Sequence, residues 1–443
     1  MKADPERTKA PEIRTIPVKK MPEATRETLP NGVELVVTSS GSEPVSRLTV
    51  RWLVGRLDVD RRAAYNVMRQ MFTEGTSRHS GAEIASTFEN CGAWVNAEGY
   101  QHSTNFTLYM LNHTAGELLP LVREIITDTQ FAPETLVALR EKFAASVQTE
   151  YMKPKTISRM NSTAMVYGEH HPQNRYILPE DYRALEVGDI RALYDRMIRR
   201  TVPTIYLCGK IDDELKDEVR RVFGSKDFGQ GGVERRVLPP TPSKADGDRR
   251  HTMMPGSMQT AINIAMPIIR GSHPDFEMLR VAVFALGGYF GSRLMSNIRE
   301  EKGYTYGISA SITQGLEGTY CEIVCEAANE YTQAVLQEVE REIKRLASEP
   351  IGDEEMEIVR NTMMASVAAM FDSPFTMMDF RMRKDLLGSD IPDIERRMAV
   401  ISSVTPADVM RMVRTYLLDA PRYVATAGGA ASEGGAETDV ERR

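Results

Sequence analysis

The sequence predicts an α+β protein of two tandem homologous domains, each a mainly antiparallel sheet with helices packed on one face. Three observations predict it. Period-two strands joined by short turns are followed by helices and then by a closing strand, an order that suits an antiparallel sheet with segregated helices. The second half repeats landmarks of the first at a nearly constant offset. The chain has 443 residues, room for two domains of about 200 residues each that need no disulfide or metal staple.

Residues 1–27 are polar and carry Pro5, Pro11, Pro17 and Pro22, which reads as an N-terminal arm on the surface. A first domain is expected over 28–223. Asn31-Gly32 is a turn signal, and Val33, Leu35 and Val37 alternate as in a half-buried strand. Leu48, Val50 and Trp52 repeat that period. From Arg61 to Phe72 the spacing of Ala64, Val67, Met68 and Met71 becomes helical. Ser80 and Glu83 form a capping box for a helix that Gly92 ends. Strands are expected at Trp94–Glu98 and Asn105–Met110. A helix capped by Thr114 with Glu117 follows, then one opened by Pro133 that runs through Glu150, then one over 181–199. Thr204–Gly209 reads as a buried strand. Residues 224–250, rich in Gly, Pro and charge, form a linker to a second domain over 251–428, and the Gly/Ala/Glu-rich tail 429–443 is expected to be disordered.

The internal echo rests on four matches. Ala145-Ser146-Val147 recurs as Ala365-Ser366-Val367, Glu134 meets Asp353, Asp189 meets Asp408, and Gly209 meets Gly428. Each pair stands 219 or 220 residues apart, at the same place in its element.

Composition excludes several function classes. Lys and Arg number 55 against 62 Asp and Glu, a net charge of −7, which argues against a nucleic-acid or anionic-membrane partner. No apolar run approaches the length of about 18 residues that a membrane helix needs. Cys91, Cys208, Cys321 and Cys325 form no CxxC pair, which suits a reducing compartment. The expected location is cytoplasmic, or periplasmic if a signal peptide has been removed.

Leu29-Pro30-Asn31-Gly32, Phe72-Thr73-Glu74-Gly75-Thr76, Val95-Asn96-Ala97 and His171-Pro172 resemble the pattern of insulinase/pitrilysin-type zinc peptidases. More specific are Gly287-Gly288-Tyr289-Phe290-Gly291-Ser292-Arg293-Leu294 and Ile298-Arg299-Glu300-Glu301-Lys302-Gly303-Tyr304-Thr305-Tyr306. The resemblance spans about residues 28–428 and implies two tandem α+β domains. In the short-chain branch it also implies pairing of two chains into a clamshell that encloses peptides.

Such peptidases need two His one helical turn apart, because residues i and i+4 share a helix face and both imidazoles can then reach one ion. A nearby Glu serves as base and a second Glu downstream completes the ligands. Aligned on Phe72–Thr76, the His positions hold Asn66 and Gln70, the base position holds Arg69, and the downstream ligand, placed from Glu141, falls at Gln148. Amides are poor zinc ligands, and a guanidinium is neither a base at neutral pH nor compatible with a nearby dication. The expectation is that this chain binds no metal and no other cofactor.

Arg299 and Tyr306 occupy the Arg-x6-Tyr positions that, by the resemblance, complete the active site from the second domain and bind substrate. Arg299 lies near the end of a helix stopped by Gly303 and Tyr306 begins the next strand, so both can point from one edge into a cavity. Either side chain can donate a hydrogen bond to an oxyanion. Tyr304 is a weaker candidate, two residues back on the same strand face. Other signals are weaker still. His170-His171 reads as a surface pair in a loop, Cys321 and Cys325 as buried small apolar groups, Gly287–Gly291 as a turn between helices, and the Met pairs as core filling. Trp94–Ala97 reads equally as an edge strand that can take a peptide backbone by strand addition and as plain sheet.

The expected function is the non-metal-binding subunit of a heterodimeric zinc endopeptidase. Its partner would be a homologous zinc-binding chain and its substrates peptides. The alternative is a catalytically inactive scaffold or peptide-binding subunit of a larger complex.

Overall fold

The computed structural model describes residues 16–17, 20–229, 231–232, 248–429 and 436–437. Most of the expected arm, the middle of the expected linker and most of the tail lie outside the described residues. Strands β1 (Thr25–Thr28), β2 (Glu34–Ser39), β3 (Val45–Trp52), β4 (Trp94–Gly99), β5 (Thr104–Leu111) and β6 (Thr204–Gly209) form one sheet in the order β1-β2-β6-β3-β5-β4. Strands β7 (Arg249–Met253), β8 (Gln259–Pro267), β9 (Thr305–Gln314), β10 (Thr319–Ala328), β11 (Tyr423–Gly428) and β12 (Ala436–Glu437) form the second, in the order β12-β7-β11-β8-β10-β9. The orders correspond strand for strand. Each sheet is antiparallel except where β2 meets β6, and where β7 meets β11 and β12. Among the described residues the edge strands are β1 and β4 in the first sheet and β12 and β9 in the second.

The predicted strands and the two-domain α+β class are found. Boundaries differ in three places. Thr25–Thr28, placed in the arm, is a strand because Thr25 to Thr28 pair with Val37 to Glu34. The second sheet begins at Arg249, inside the expected linker, and Ala436-Glu437 of the tail pairs with β7. The stretch 181–199 is not one helix: it divides into Pro179–Arg183, Val187–Tyr194 and a π-helical turn, Asp195–Arg199. Thr114 does not cap its helix, since its hydroxyl donates to the Leu111 carbonyl instead, whereas the Ser80–Glu83 box forms as expected.

The four matched landmarks sit at equivalent positions. Gly209 ends β6 with φ +132° and Gly428 ends β11 with φ +159°. A Cβ at Gly209 would lie 2.2 Å from the Val45 carbonyl oxygen, and one at Gly428 2.5 Å from the Thr260 Cα. Both halves therefore need glycine at the same crowded strand end.

Two helices that the sequence reading does not place are Pro154–Tyr167 and Pro374–Leu387, whose first residues again stand 220 apart. Each crosses to the other half. The first lies on β8 and β11, with Asn161 donating to the Thr252 hydroxyl at 2.8 Å and Ser158 to the Ala425 carbonyl at 3.3 Å. Around it Met165, Val166 and Tyr167 pack with Ala265, Tyr423 and Ala425. The second lies on β6 and β2, where Met378 and Met382 pack with Val36, Tyr206 and Cys208. Arg47 pairs with Asp379 at 2.7 Å, and Arg51 donates to the Met382 carbonyl at 2.6 Å. This explains why β3 is buried on both faces. Leu48, Val50 and Trp52 face the large core of their own half, while Arg47, Thr49 and Arg51 face the crossing helix.

The hairpin turns of the two halves also meet. His102, between β4 and β5, lies 2.7 Å from the buried carboxylate of Glu317, between β9 and β10, and Gln173 donates to the same carboxylate at 3.2 Å. Burial works to raise the Glu317 carboxyl, but the His102 hydrogen bond and charge outweigh it and hold the group below the usual carboxylate range.

Two outcomes follow. Met378→Ala, in the second half, is expected to cost about 2–5 kcal/mol by leaving a cavity, with faster hydrogen exchange in β6 of the first half; urea unfolding and exchange would check both. A carboxyl whose folded pKa is depressed contributes stability above its unfolded value and loses it as pH falls through the folded one. Glu317→Gln should therefore destabilise the chain at pH 7, and the difference should close below about pH 4, as measured by thermal melts across pH.

Candidate functional site

The first candidate region is the helix Arg62–Gln70, held by Ala63, Ala64, Val67 and Met68 in the first core. Its intermediate face carries Asn66 and Arg69. Asn66 Nδ2 donates to the Tyr182 hydroxyl at 2.8 Å, and Arg69 Nη2 donates to Asn66 Oδ1 at 3.1 Å. Arg69 Nη1 donates to the Ala97 carbonyl of β4 at 3.0 Å, and its guanidinium lies 5.0 Å from the Tyr65 ring centroid. Burial pushes the Tyr182 phenol up, so it stays neutral and can accept from Asn66.

Gln70 and Gln148 are exposed, and Glu141 is exposed and pairs with Arg183 at 3.4 Å. The positions that the resemblance aligns with zinc ligands thus hold three amides, Asn66 being already engaged, beside a fixed cation. Residues of this kind do not fit a divalent ion. Among the described residues no group of three or more His, Cys, Asp or Glu could hold a metal.

The edge strand is also affected. β4 pairs with β5 alone, so the carbonyl of Ala97 is available at the outer edge, and Arg69 takes it. The guanidinium reaches it because residue 99 is glycine: a Cβ there would sit 2.5 Å from Arg69 Nε and 2.7 Å from the Tyr65 hydroxyl. Trp94, 59% exposed, stacks on Tyr109 at 4.6 Å at the other end of the strand.

The second region is the start of β9. After the helix Phe276–Gly287, the glycine-containing stretch Gly287–Gly291 turns the chain into a π-helix, Met295–Glu301, as a turn and not a phosphate loop. Asn297 is buried there and donates to Glu338 at 3.0 Å and Glu342 at 2.7 Å, while Ile298 fills the core beneath. The π turn ends at Gly303, φ +66°. Arg299 emerges from it with its guanidinium 4.6 Å from the centroid of the exposed Phe290 ring.

Tyr304 is not on the strand face. It precedes β9 and stacks on Tyr331 at 4.6 Å. Between the pairs Cys325↔Ile308 and Ala327↔Thr305, β9 has two residues, Tyr306 and Gly307, opposite Glu326 alone. This bulge breaks the alternation that would otherwise put Tyr306 on the side of Ile308, toward the core. The phenol is 92% exposed. Among the described residues neither the Arg299 guanidinium nor the Tyr306 hydroxyl makes a hydrogen bond or ion pair with protein, and none joins the two. The adjoining cleft of roughly 650 Å³ is lined by Phe290, Gly307, Asn263, Glu322 and Glu326, with Arg159 from the crossing helix.

The remaining candidates resolve simply. His170 is exposed, but His171 is buried, stacked on Tyr167 at 5.1 Å, with Nδ1 accepting from the Gln173 amide; the two rings diverge. Cys321 and Cys325 are buried free thiols, and Met363, Met364, Met377 and Met378 are core residues, whereas the pair Met253-Met254 lies at the end of β7 with Met253 41% exposed and does not fill the core. Sequence reasoning missed Phe290 under Arg299, the Asn297 clamp and the Tyr182 partner of Asn66. Only Asn297 left a signal, as a polar residue on an otherwise apolar helical face.

Comparisons with known proteins bear on both regions. Residues 64–180 match the family described as insulinase (peptidase family M16), and residues 184–363 the one described as peptidase M16 inactive domain. An uncharacterised zinc protease of Streptomyces coelicolor is 21% identical over 409 residues, covering 88% of this chain and 87% of that one. A non-peptidase homologue from Helicobacter pylori is 20% identical over 243 residues, 54% of this chain and 55% of that one. Among solved structures, a peptidase M16 inactive domain from Pseudomonas fluorescens superposes with TM-score 0.81 at 18% identity, over 92% of this chain and 99% of the other.

The donor set yields a direct expectation. The purified chain, incubated with zinc and desalted, should retain far less than one zinc per chain by elemental analysis; stoichiometric retention abolished by Asn66→Ala would overturn the assignment.

Proposed function

The chain belongs to the insulinase family, peptidase M16, without that family's zinc ligands, and from this premise we propose that it is the non-metal-binding subunit of a two-chain endopeptidase. A homologous partner chain supplies the zinc and the general base. This chain supplies Arg299 and Tyr306, which bind peptide substrate and donate hydrogen bonds to the oxyanion that develops during cleavage. The observation that carries the reading is a contrast within one molecule: Asn66 and Arg69 are tied into protein hydrogen bonds, while Arg299 and Tyr306 are held out by a π turn and a bulge with their donors unengaged. Preorganised donors with no partner in the resting protein suit charge that appears only in a transition state. Phe290 keeps the guanidinium from swinging into solvent.

No helix among the described residues is long and apolar enough to cross a membrane. The reading places the chain in the cytoplasm, or in the periplasm if a signal peptide has been removed, and leaves it inert alone.

A second reading, a scaffold or peptide-binding subunit without catalysis, is favoured by the similarity to the Helicobacter pylori non-peptidase homologue. Such a chain would be recovered as a homodimer with no metal-bearing partner. Co-expression with a His-x-x-Glu-His homologue from the same source, followed by peptide cleavage assays, separates the two. The first reading expects activity only from the mixed complex, and a loss of about 10²–10³ in kcat for Tyr306→Phe or Arg299→Ala. Undiminished cleavage by the double variant would sink it.

A further inference from the structure

A second cavity, of roughly 480 Å³, lies where the two halves meet, away from Arg299 and Tyr306. Three guanidinium groups line it: Arg51 on β3, Arg56 in the turn that follows, and Arg383 on the crossing helix of the second half. None of the three forms an ion pair among the described residues. Arg51 is buried and donates to the Met382 carbonyl, which uses one nitrogen; its Nε is buried without an acceptor, and burial presses its pKa down. Its nearest acidic neighbour, Asp385, already accepts from Tyr206 at 2.9 Å and from Arg26 at 2.6 Å. Arg383 donates only to the neutral amide oxygen of Gln314, at 3.2 Å. The carboxylate that lines the cavity, Asp379, is committed to Arg47 at 2.7 Å, and the lining His102 is turned to Glu317. Neutral amides of Gln101, Asn105 and Gln314 complete the wall.

Three guanidiniums thus line one cleft without an ion pair among the described residues, in a chain whose net charge is −7. An oxyanion there accepts from planar guanidinium forks, often two bonds at a time. The volume suits a small organic molecule, not a folded partner. We propose that this cavity is a binding site for a small polyanion bearing phosphate or carboxylate groups, held jointly by Arg51 and Arg56 of the first half and Arg383 of the second. Such a ligand bridges the halves and stabilises their association by mass action. The proposal does not depend on the peptidase reading.

Calorimetric titration of the full-length chain with pyrophosphate and with citrate, at ionic strength matched with sodium chloride, tests it. At least one probe is expected to bind saturably at one site per chain and to raise the melting temperature. Charged hydrogen bonds of this kind are worth enough that Arg56→Gln or Arg383→Gln should weaken binding about tenfold or more. Both side chains are solvent-facing, and circular dichroism would verify that the variants fold. Arg221→Gln, on a distant exposed helix, should change nothing. Preference for pyrophosphate assigns a phosphate ligand and preference for citrate a carboxylate one. Failure of both probes to saturate, or equal affinity in wild type and both glutamine variants, would overturn the site.

Discussion

Each sheet here is buried on one face by helices of its own half and on the other by a helix lent from the opposite half. That exchange is the constraint from which most of the architecture follows. It turns the outward side of β3 into an interior surface, so Arg47 and Arg51 are buried there, the first paired with Asp379 and the second donating to the Met382 carbonyl. It places Met378 and Met382 of the second half against Val36 and Tyr206 of the first. It also brings the two hairpin turns together at His102 and Glu317, and it creates the basic cavity at the seam.

The two candidate regions are opposite solutions to one problem, how to set a polar side chain on a rigid element. On the helix Arg62–Gln70 the polar groups satisfy each other and the neighbouring strand, and little is left for a ligand. At the start of β9 two irregularities, a π turn pinned by Asn297 and a two-for-one bulge, keep Arg299 and Tyr306 from finding protein partners. Beside them Ile298 packs in the second core and Tyr304 stacks on Tyr331.

Much of this was legible in the chain itself. Strand periodicity at Val33–Val37 and Leu48–Trp52, the Ser80–Glu83 box and the offset between Gly209 and Gly428 carried the two-domain α+β class. They did so because local chemistry decided those elements. The helix Pro154–Tyr167 was not legible, since its burial comes from a sheet about a hundred residues further along the chain. For the same reason β3 looked half-buried when it is buried on both faces. At the candidate site the substituted ligand positions could be read once the family resemblance had fixed the alignment on Phe72–Thr76. The bulge that exposes Tyr306 could not, because it arises from the register between β9 and β10, and the Arg69 bond to Ala97 needed the geometry of Gly99.

That last bond makes the altered site hard to undo. A histidine at position 66 or 70 would still find a guanidinium anchored to the strand beside it, and replacing Arg69 alone would strand the Asn66 amide and bare the Ala97 carbonyl. Gln70 is exposed and tolerates change, but a metal centre here needs Asn66 and Arg69 to change together, because each hydrogen bonds the other.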